Sequence, residues 1–269
     1  MILHANCKIN LGLDILRRRD DGFHDLETVM LPVADLYDVV EVERVEGRSL
    51  FEQCGLVVDC SAEDNLCMKA LHLMQRLYGV GEVRIRLDKR VPFGAGLGGG
   101  SSDATAVILA LNELFALGLS DEKLVETAAM IGSDTAFFVR NTPQLCTGRG
   151  EKMEPIALPL QGLYLVVAKP SEGVSTKEAY SGVKPAVPQV RLREALARPI
   201  WEWQGLVKND FEPHIFAAHP AIAALKQTML DVGAIYASMS GSGSAVFGLF
   251  EQRPNFEMED DKYLIITKL

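Results

Sequence analysis

In residues 8–16, Ile9, Leu11, Leu13 and Ile15 alternate with Asn10, Gly12 and Asp14. A period of two predicts a strand with one buried face and puts Lys8 and Asn10 together on the opposite face. Residues 17–22 read as a turn, and 26–34 and 39–45 as two more strands, so the chain opens antiparallel. The period then lengthens. Asn65 precedes Leu66, Ala70, Leu73, Met74 and Leu77, the spacing of a core-facing helix that Asn65 caps and Gly79 ends. Val83, Ile85 and Leu87 alternate with polar residues in a strand over 83–88 that runs into a glycine-rich segment. Beyond it, Ala104, Val107, Ile108, Leu111, Leu114 and Phe115 form a helical stripe closed by Gly118, and Ser120 caps another helix that runs to Met130 and stops at Gly132-Ser133-Asp134.

A strand over 164–168 opens the second half. Residues 184–199, broken by prolines, give no assignment. A helix over 220–232, a strand over 234–239, a tight loop at 240–243 and a strand over 245–250 follow. Strands and helices mixed with hairpin-like pieces predict an α+β fold. A length of 269 residues with 48% hydrophobic composition suits two domains, divided near Leu158 into 1–158 and 159–269.

Residues 94–100 hold five glycines in seven positions. Each glycine gives up backbone entropy on folding, so the crowding needs a purpose. Without Cβ atoms the backbone can approach an anion, point several N–H groups at it and deliver it to the positive end of a helix starting near Ser101. A linker or a plain turn is the competing reading. Gly94, Gly96 and Gly99 also fit the dinucleotide pattern G-x-G-x-x-G, but Asp121 and Glu122 open a helix where that unit requires a strand ending in an acid. No G-K-[ST] follows, which excludes a Walker A loop.

Charge and cysteine content narrow the classes. With 27 basic against 36 acidic residues the net charge is -9, which repels polyanions over the whole surface and argues against nucleic acid as a partner. No stretch reaches the roughly 18 apolar residues of a membrane span, and the first residues carry no apolar signal-peptide core, so a cytoplasmic protein is expected. Cys7, Cys54, Cys60, Cys67 and Cys146 are odd in number with no C-x-x-C pair, and read as reduced core thiols.

The segment 92–104, Pro-Phe-Gly-Ala-Gly-Leu-Gly-Gly-Gly-Ser-Ser-Asp-Ala, resembles the ATP loop of the GHMP kinases, the family of galactokinase and the homoserine, mevalonate and phosphomevalonate kinases. Within it the resemblance is closest to the kinases of 4-diphosphocytidyl-2-C-methyl-D-erythritol. Lys8-Ile-Asn-Leu-Gly-Leu13 is similar to their first strand, Asp21-Gly-Phe-His24 to their D-G-[YF]-H element, Gly132-Ser-Asp134 to their G-x-D segment, and Ser238-Met-Ser-Gly-Ser-Gly243 to their C-terminal glycine loop. Val174-Ser-Thr176, Asn209-Asp210 and Gly148-Arg-Gly-Glu151 match more weakly. Ala136 stands where the family usually has proline and Cys7 where it usually has alanine, and the tail beyond Phe250 resembles nothing specific.

The resemblance implies a two-domain GHMP kinase fold with the active site in the cleft between domains. It implies an enzyme that phosphorylates the 2-hydroxyl of 4-diphosphocytidyl-2-C-methyl-D-erythritol with ATP and Mg2+, in the non-mevalonate route to isoprenoid precursors. ATP is expected at Pro92, Phe93, Gly94, Ala95, Gly96, Leu97, Gly98, Gly99, Gly100, Ser101 and Ser102, with Asn65 and Lys89 near the adenine. Asp134 is the expected proton acceptor with Lys8 beside it, Asn10 the holder of the hydroxyl, and Phe23 and His24 the cytidine site. By themselves these residues have plainer readings: Asp134 as a cap, Lys8 as a solvent-facing lysine, Asn65 as a cap only. Metal ligands are not named. No obligate protein partner is expected. A kinase of another small alcohol, or a silent nucleotide or sugar-phosphate sensor on the same fold, are the alternatives.

Overall fold

The computed structural model describes residues 1–57, 61, 63–258 and 263–269; Cys60 lies outside them. Two long strands, β1 (Ile2–Arg18) and β2 (His24–Arg44), are followed by β3 (Leu50–Gly55), helix α1 (Leu66–Tyr78) and β4 (Val83–Lys89). Helices α2 (Gly99–Leu114), α3 (Asp121–Ala129) and α4 (Thr135–Arg140) lead to β5 (Gln144–Gly148), β6 (Lys152–Pro155) and β7 (Tyr164–Lys169). Short helices α5 (Thr176–Ser181), α6 (Leu192–Leu196), α7 (Trp203–Leu206) and α8 (Glu212–Ala218) precede α9 (Pro220–Asp231). The chain ends with β8 (Tyr236–Met239), β9 (Val246–Phe250) and β10 (Tyr263–Lys268).

These elements form two compact units interleaved along the sequence. The first comprises Met1–Lys8, Pro32–Phe93 and Gly98–Thr142; the second comprises Ile9–Leu31, Gly94–Leu97 and Pro143–Leu269. A division of the chain near Leu158 stays a proposal about domains.

In the first unit the later half of β2 pairs antiparallel with β4, Val39 opposite Asp88 and Arg44 opposite Val83, and β3 pairs parallel with β4. Val40, Val42 and Ile85 of these strands bury against Leu71 and Met74 of α1 and Val107 and Leu111 of α2. Asn65 caps α1 by accepting from the Cys67 N–H at 2.9 Å, and Gly79 ends it in the left-handed conformation. Ser120 caps α3, whose first turn carries Asp121 and Glu122 at the positive end of the helix.

In the second unit Leu26 of β2 lies opposite Gly148 of β5, and β5 pairs with β6. A four-stranded sheet runs β10-β7-β9-β8. Its Val166, Ala168, Val246 and Met239 share a core with Phe211, Ile215, Ile222 and Met229.

Several expectations need correction. β1 is buried on both faces from Ala5 to Ile15, so Asn6, Lys8, Asn10 and Asp14 lie inside the protein and not on a solvent face. The break expected between 34 and 39 is absent. Ala34 and Asp35 are both exposed there, which slips the inward-outward alternation by one residue while the backbone continues. β3 went unread because its residues are mostly exposed and show no apolar alternation. In the tail, to which no element was assigned, Tyr263 to Lys268 pair with Lys169 to Tyr164 as an edge strand. Cys7, Cys67 and Cys146 are buried, but Cys54 is exposed and is no core thiol.

Candidate active site

Lys8 lies on β1 with its side chain only 4% exposed, and its Nζ sits 3.0 Å from Asp134 Oδ2. Asp134 occupies the cap position of α4, yet its side chain makes no capping bond. The carboxylate is instead spent on the lysine, at 30% exposure. Lys8 packs under the start of α2, where a Cβ on Gly98 would lie 3.0 Å from Lys8 Cε. Gly98 has φ +70, a conformation that side chains rarely adopt, and a Cβ there would crowd Lys8 and Phe138. From it α2 starts, two residues earlier than expected, and the first-turn N–H groups have no carbonyl partner within the helix. An ion pair and a helix N-terminus flanked by glycine thus converge within the first unit. That arrangement can hold phosphate oxygens and accept a proton nearby.

Asn65, Lys89, Phe93 and Gly100 line one pocket of about 290 Å3 with Asp64, Leu66, Leu87 and Asp103. Phe93 is 68% exposed at its edge. Lys89 is not a free arm in that pocket: its ammonium is buried between Asp38 and Asp103. Asn65 is already a cap. Asn65→Ala is expected to destabilise the protein by about 1 kcal/mol, and Asn65→Asp to retain most of that. Urea unfolding of both variants beside calorimetric ATP titration separates the cap from any part in nucleotide binding.

In the second unit, the buried Asn10 donates from Nδ2 to Thr28 Oγ1 at 3.0 Å, and its backbone N–H donates to Ser240 Oγ at 3.2 Å. Thr28 in turn donates to the Gly12 carbonyl at 2.5 Å. The 240–243 loop lies against Ala95 and Gly96 of the glycine-rich segment, with Ser240 Oγ donating to the Gly96 carbonyl at 3.0 Å. Asn209 Nδ2 shapes this loop from behind, donating to the carbonyls of Met239 at 2.8 Å and Gly241 at 2.9 Å.

Phe23 and His24 follow the turn, where Asp21 Oδ1 accepts from the Phe23 N–H at 3.1 Å. They have different neighbours: Phe23 is exposed with the Arg149 guanidinium 4.9 Å from its ring centroid, while His24 stacks on Tyr180 at 5.1 Å. Burial, aided by the charge of Arg18, lowers the His24 pKa and favours the neutral imidazole. Three residues were missed in the sequence: Tyr180, in a six-residue helix too short to show a period; Thr28, hidden in a strand; and Asp38, placed inward by the alternation slip.

Comparison with known proteins places this geometry. The model of the GHMP kinases N terminal domain matches residues 65–142, and that of the GHMP kinases C terminal matches 192–259. The chain is 44% identical over 259 residues to a protein of Parabacteroides distasonis named 4-diphosphocytidyl-2-C-methyl-D-erythritol kinase, covering 96% of this chain and 94% of that one. The chain belongs to the GHMP kinase family. A protein of the same name from Cytophaga hutchinsonii is 40% identical, with 94% of each chain covered. Among solved structures, a 4-(cytidine 5'-diphospho)-2C-methyl-D-erythritol kinase matches with TM-score 0.76 and 37% identity over 93% of this chain and 90% of that chain. A homoserine kinase of Cytophaga hutchinsonii, at 18% identity and TM-score 0.68 over 98% of this chain and 94% of that chain, shares the fold. This GHMP kinase carries the α+β architecture expected of it, and use of ATP follows from the kinase family. Among the described residues no helix is long and apolar enough to cross a membrane.

Proposed function

We propose that this GHMP kinase transfers the γ-phosphoryl group of ATP to the 2-hydroxyl of 4-diphosphocytidyl-2-C-methyl-D-erythritol, in the non-mevalonate route to isoprenoid precursors. The observation that carries the mechanism is the Lys8–Asp134 pair, 3.0 Å apart and packed beneath Gly98. Asp134 accepts the hydroxyl proton as the substrate oxygen bonds to the γ-phosphorus and the bond to the bridging β-oxygen breaks, releasing ADP. Lys8 stabilises negative charge developing on the transferred group. N–H groups of residues 98–101 hold the phosphates, and Asn10 orients the hydroxyl from its fixed place on Thr28.

The cytidine is recognised at Phe23 and His24. The His24–Tyr180 stack, its planes 28° apart, supports a place for a planar base there. The identity to kinases named for this substrate supports the choice of substrate.

Mg2+ is expected as a cofactor arriving on the phosphates of ATP. Among the described residues no three His, Cys, Asp or Glu side chains converge into a metal site. When bound, Mg2+ neutralises charge on the phosphates. A cytoplasmic enzyme without an obligate protein, nucleic-acid or membrane partner completes the reading.

A coupled ADP-release assay tests it, run with the full substrate and with the same alcohol lacking its cytidine moiety. Turnover is expected with the full substrate only. Equal turnover of both would remove the cytidine site, and turnover of neither would reassign the substrate.

A further inference from the structure

Asp38, Lys89 and Asp103 form a buried ionic cluster for which the proposed chemistry has no use. Their side chains are 0%, 3% and 3% exposed, and Lys89 Nζ lies 2.8 Å from Asp103 Oδ2 and against Asp38 Oδ2. Asp38 Oδ1 also accepts from the backbone N–H of Arg90 at 2.5 Å and of Val91 at 2.8 Å, the residues through which β4 enters the glycine-rich segment. Asp103 belongs to α2, the helix at the other end of that segment. The ammonium between them lies so close to the first residue of α2 that a Cβ on Gly99 would sit 2.9 Å from Nζ. Asp38 therefore ties the entry of the loop, and Asp103 its exit, to one buried cation.

The charges do not balance unless a proton stays. Two carboxylates around one ammonium leave a net negative charge in a buried site, which strongly disfavours the second ionisation. Asp38 takes three donors, whereas Asp103 Oδ1 is buried without a hydrogen-bond partner among the described residues. The proton belongs on Asp103. Burial raises the Asp103 carboxyl, and Asp38 adds to this against the opposing pull of Lys89, to about 8. For Lys89, burial works to lower the pKa, but the two carboxylates outweigh it and keep the ammonium charged. Among the described residues, the other ionisable groups near the cluster are the thiols of Cys67 on α1 and Cys7 on β1, both raised by burial and neutral throughout this range, and the exposed Asp64, which lines the same pocket as Lys89 and Asp103.

We infer that Asp38 and Asp103 are positioning residues for ATP, which act through Lys89 to fix both ends of the glycine-rich loop and to set the charge beneath the helix terminus that holds the phosphates. The inference rests on residues 92–102 being the ATP site. Its sign follows directly. Below about pH 8 the cluster is neutral, and above it Asp103 ionises and places one negative charge under an anion. ATP affinity therefore falls as pH rises through that value.

Calorimetric titration of the full chain with ATP at pH 7 and pH 9 tests this. The dissociation constant of the unaltered protein is expected to rise about tenfold, the Coulomb effect of one added unit charge at a high effective dielectric. In Asp103→Asn, whose amide copies the neutral acid, it should change less than about twofold. Asp38→Asn, with its fold checked by circular dichroism, should raise KM for ATP about tenfold and leave kcat within about threefold, a split that general destabilisation does not produce. Equal pH slopes in the unaltered protein and Asp103→Asn, or no slope in either, overturn the inference and leave the ATP site standing. An unaltered protein that binds no ATP at either pH overturns the ATP site itself.

Discussion

Asp134→Asn is expected to lower kcat by about 10²- to 10⁴-fold, the usual worth of a positioned general base, while ATP affinity stays within about threefold. The asparagine is isosteric, and Asp134 makes no capping bond, so α4 loses no support on its account. What disappears is the proposed acceptor for the hydroxyl proton and the carboxyl partner of Lys8 at 3.0 Å. Initial rates of ADP release give kcat, and calorimetric titration gives ATP affinity. A turnover within about tenfold of the unaltered enzyme would remove Asp134 from the role of base. A loss of ATP affinity in step with kcat would make the Lys8–Asp134 pair a support for the nucleotide instead.

How much of this site shows in the sequence depends on how local its physics is. The proposed phosphate binding by backbone N–H groups is local: it needs glycines in a row between a strand and a helix, and residues 94–100 display that pattern directly. The helix caps at Asn65 and Ser120 are local for the same reason. The Lys8 face of β1 is half legible. Alternation puts Lys8 and Asn10 on one face, but a polar face turned to solvent and a polar face buried around a site have the same pattern. Only the fold, which covers both faces of β1, distinguishes them. Asp38 fails differently, because the exposed pair Ala34 and Asp35 shifts the parity of β2 and brings an acid inward at a position the pattern assigns to a break between two strands. Tyr180 depends on the packing of the short helix α5 against His24, which no period within six residues foretells.

Gly243→Ala is expected to destabilise the protein by about 3 kcal/mol, the upper end of the range for overpacking, and to raise KM for ATP at least about tenfold. A Cβ at 243 would lie 2.0 Å from both the carbonyl carbon of Ala95 and the nitrogen of Gly96. These are backbone atoms, which cannot rotate aside as the end of a side chain can. The contact is reciprocal, since a Cβ on Gly96 would lie 1.9 Å from the Ser240 carbonyl oxygen, and Gly96 has φ +78 besides. Relief of the clash requires the two loops to part. That separation breaks the bonds from Ser240 Oγ to the Gly96 carbonyl, 3.0 Å, and from the Ala245 N–H to the Ala95 carbonyl, 3.1 Å. Because Ala95 and Gly96 belong to the glycine-rich segment, the displacement reaches the proposed ATP site and not stability alone. Gly205→Ala is the matched control: nothing lies within 4 Å of its added methyl, and within α7 alanine should be neutral or stabilising by up to about 1 kcal/mol. Denaturant unfolding and KM for ATP, measured on both variants, separate the outcomes. Gly243→Ala behaving like Gly205→Ala on both counts would show that the loops are not in backbone contact, whereas a loss of stability with unchanged KM would show that the contact serves the fold and not the nucleotide.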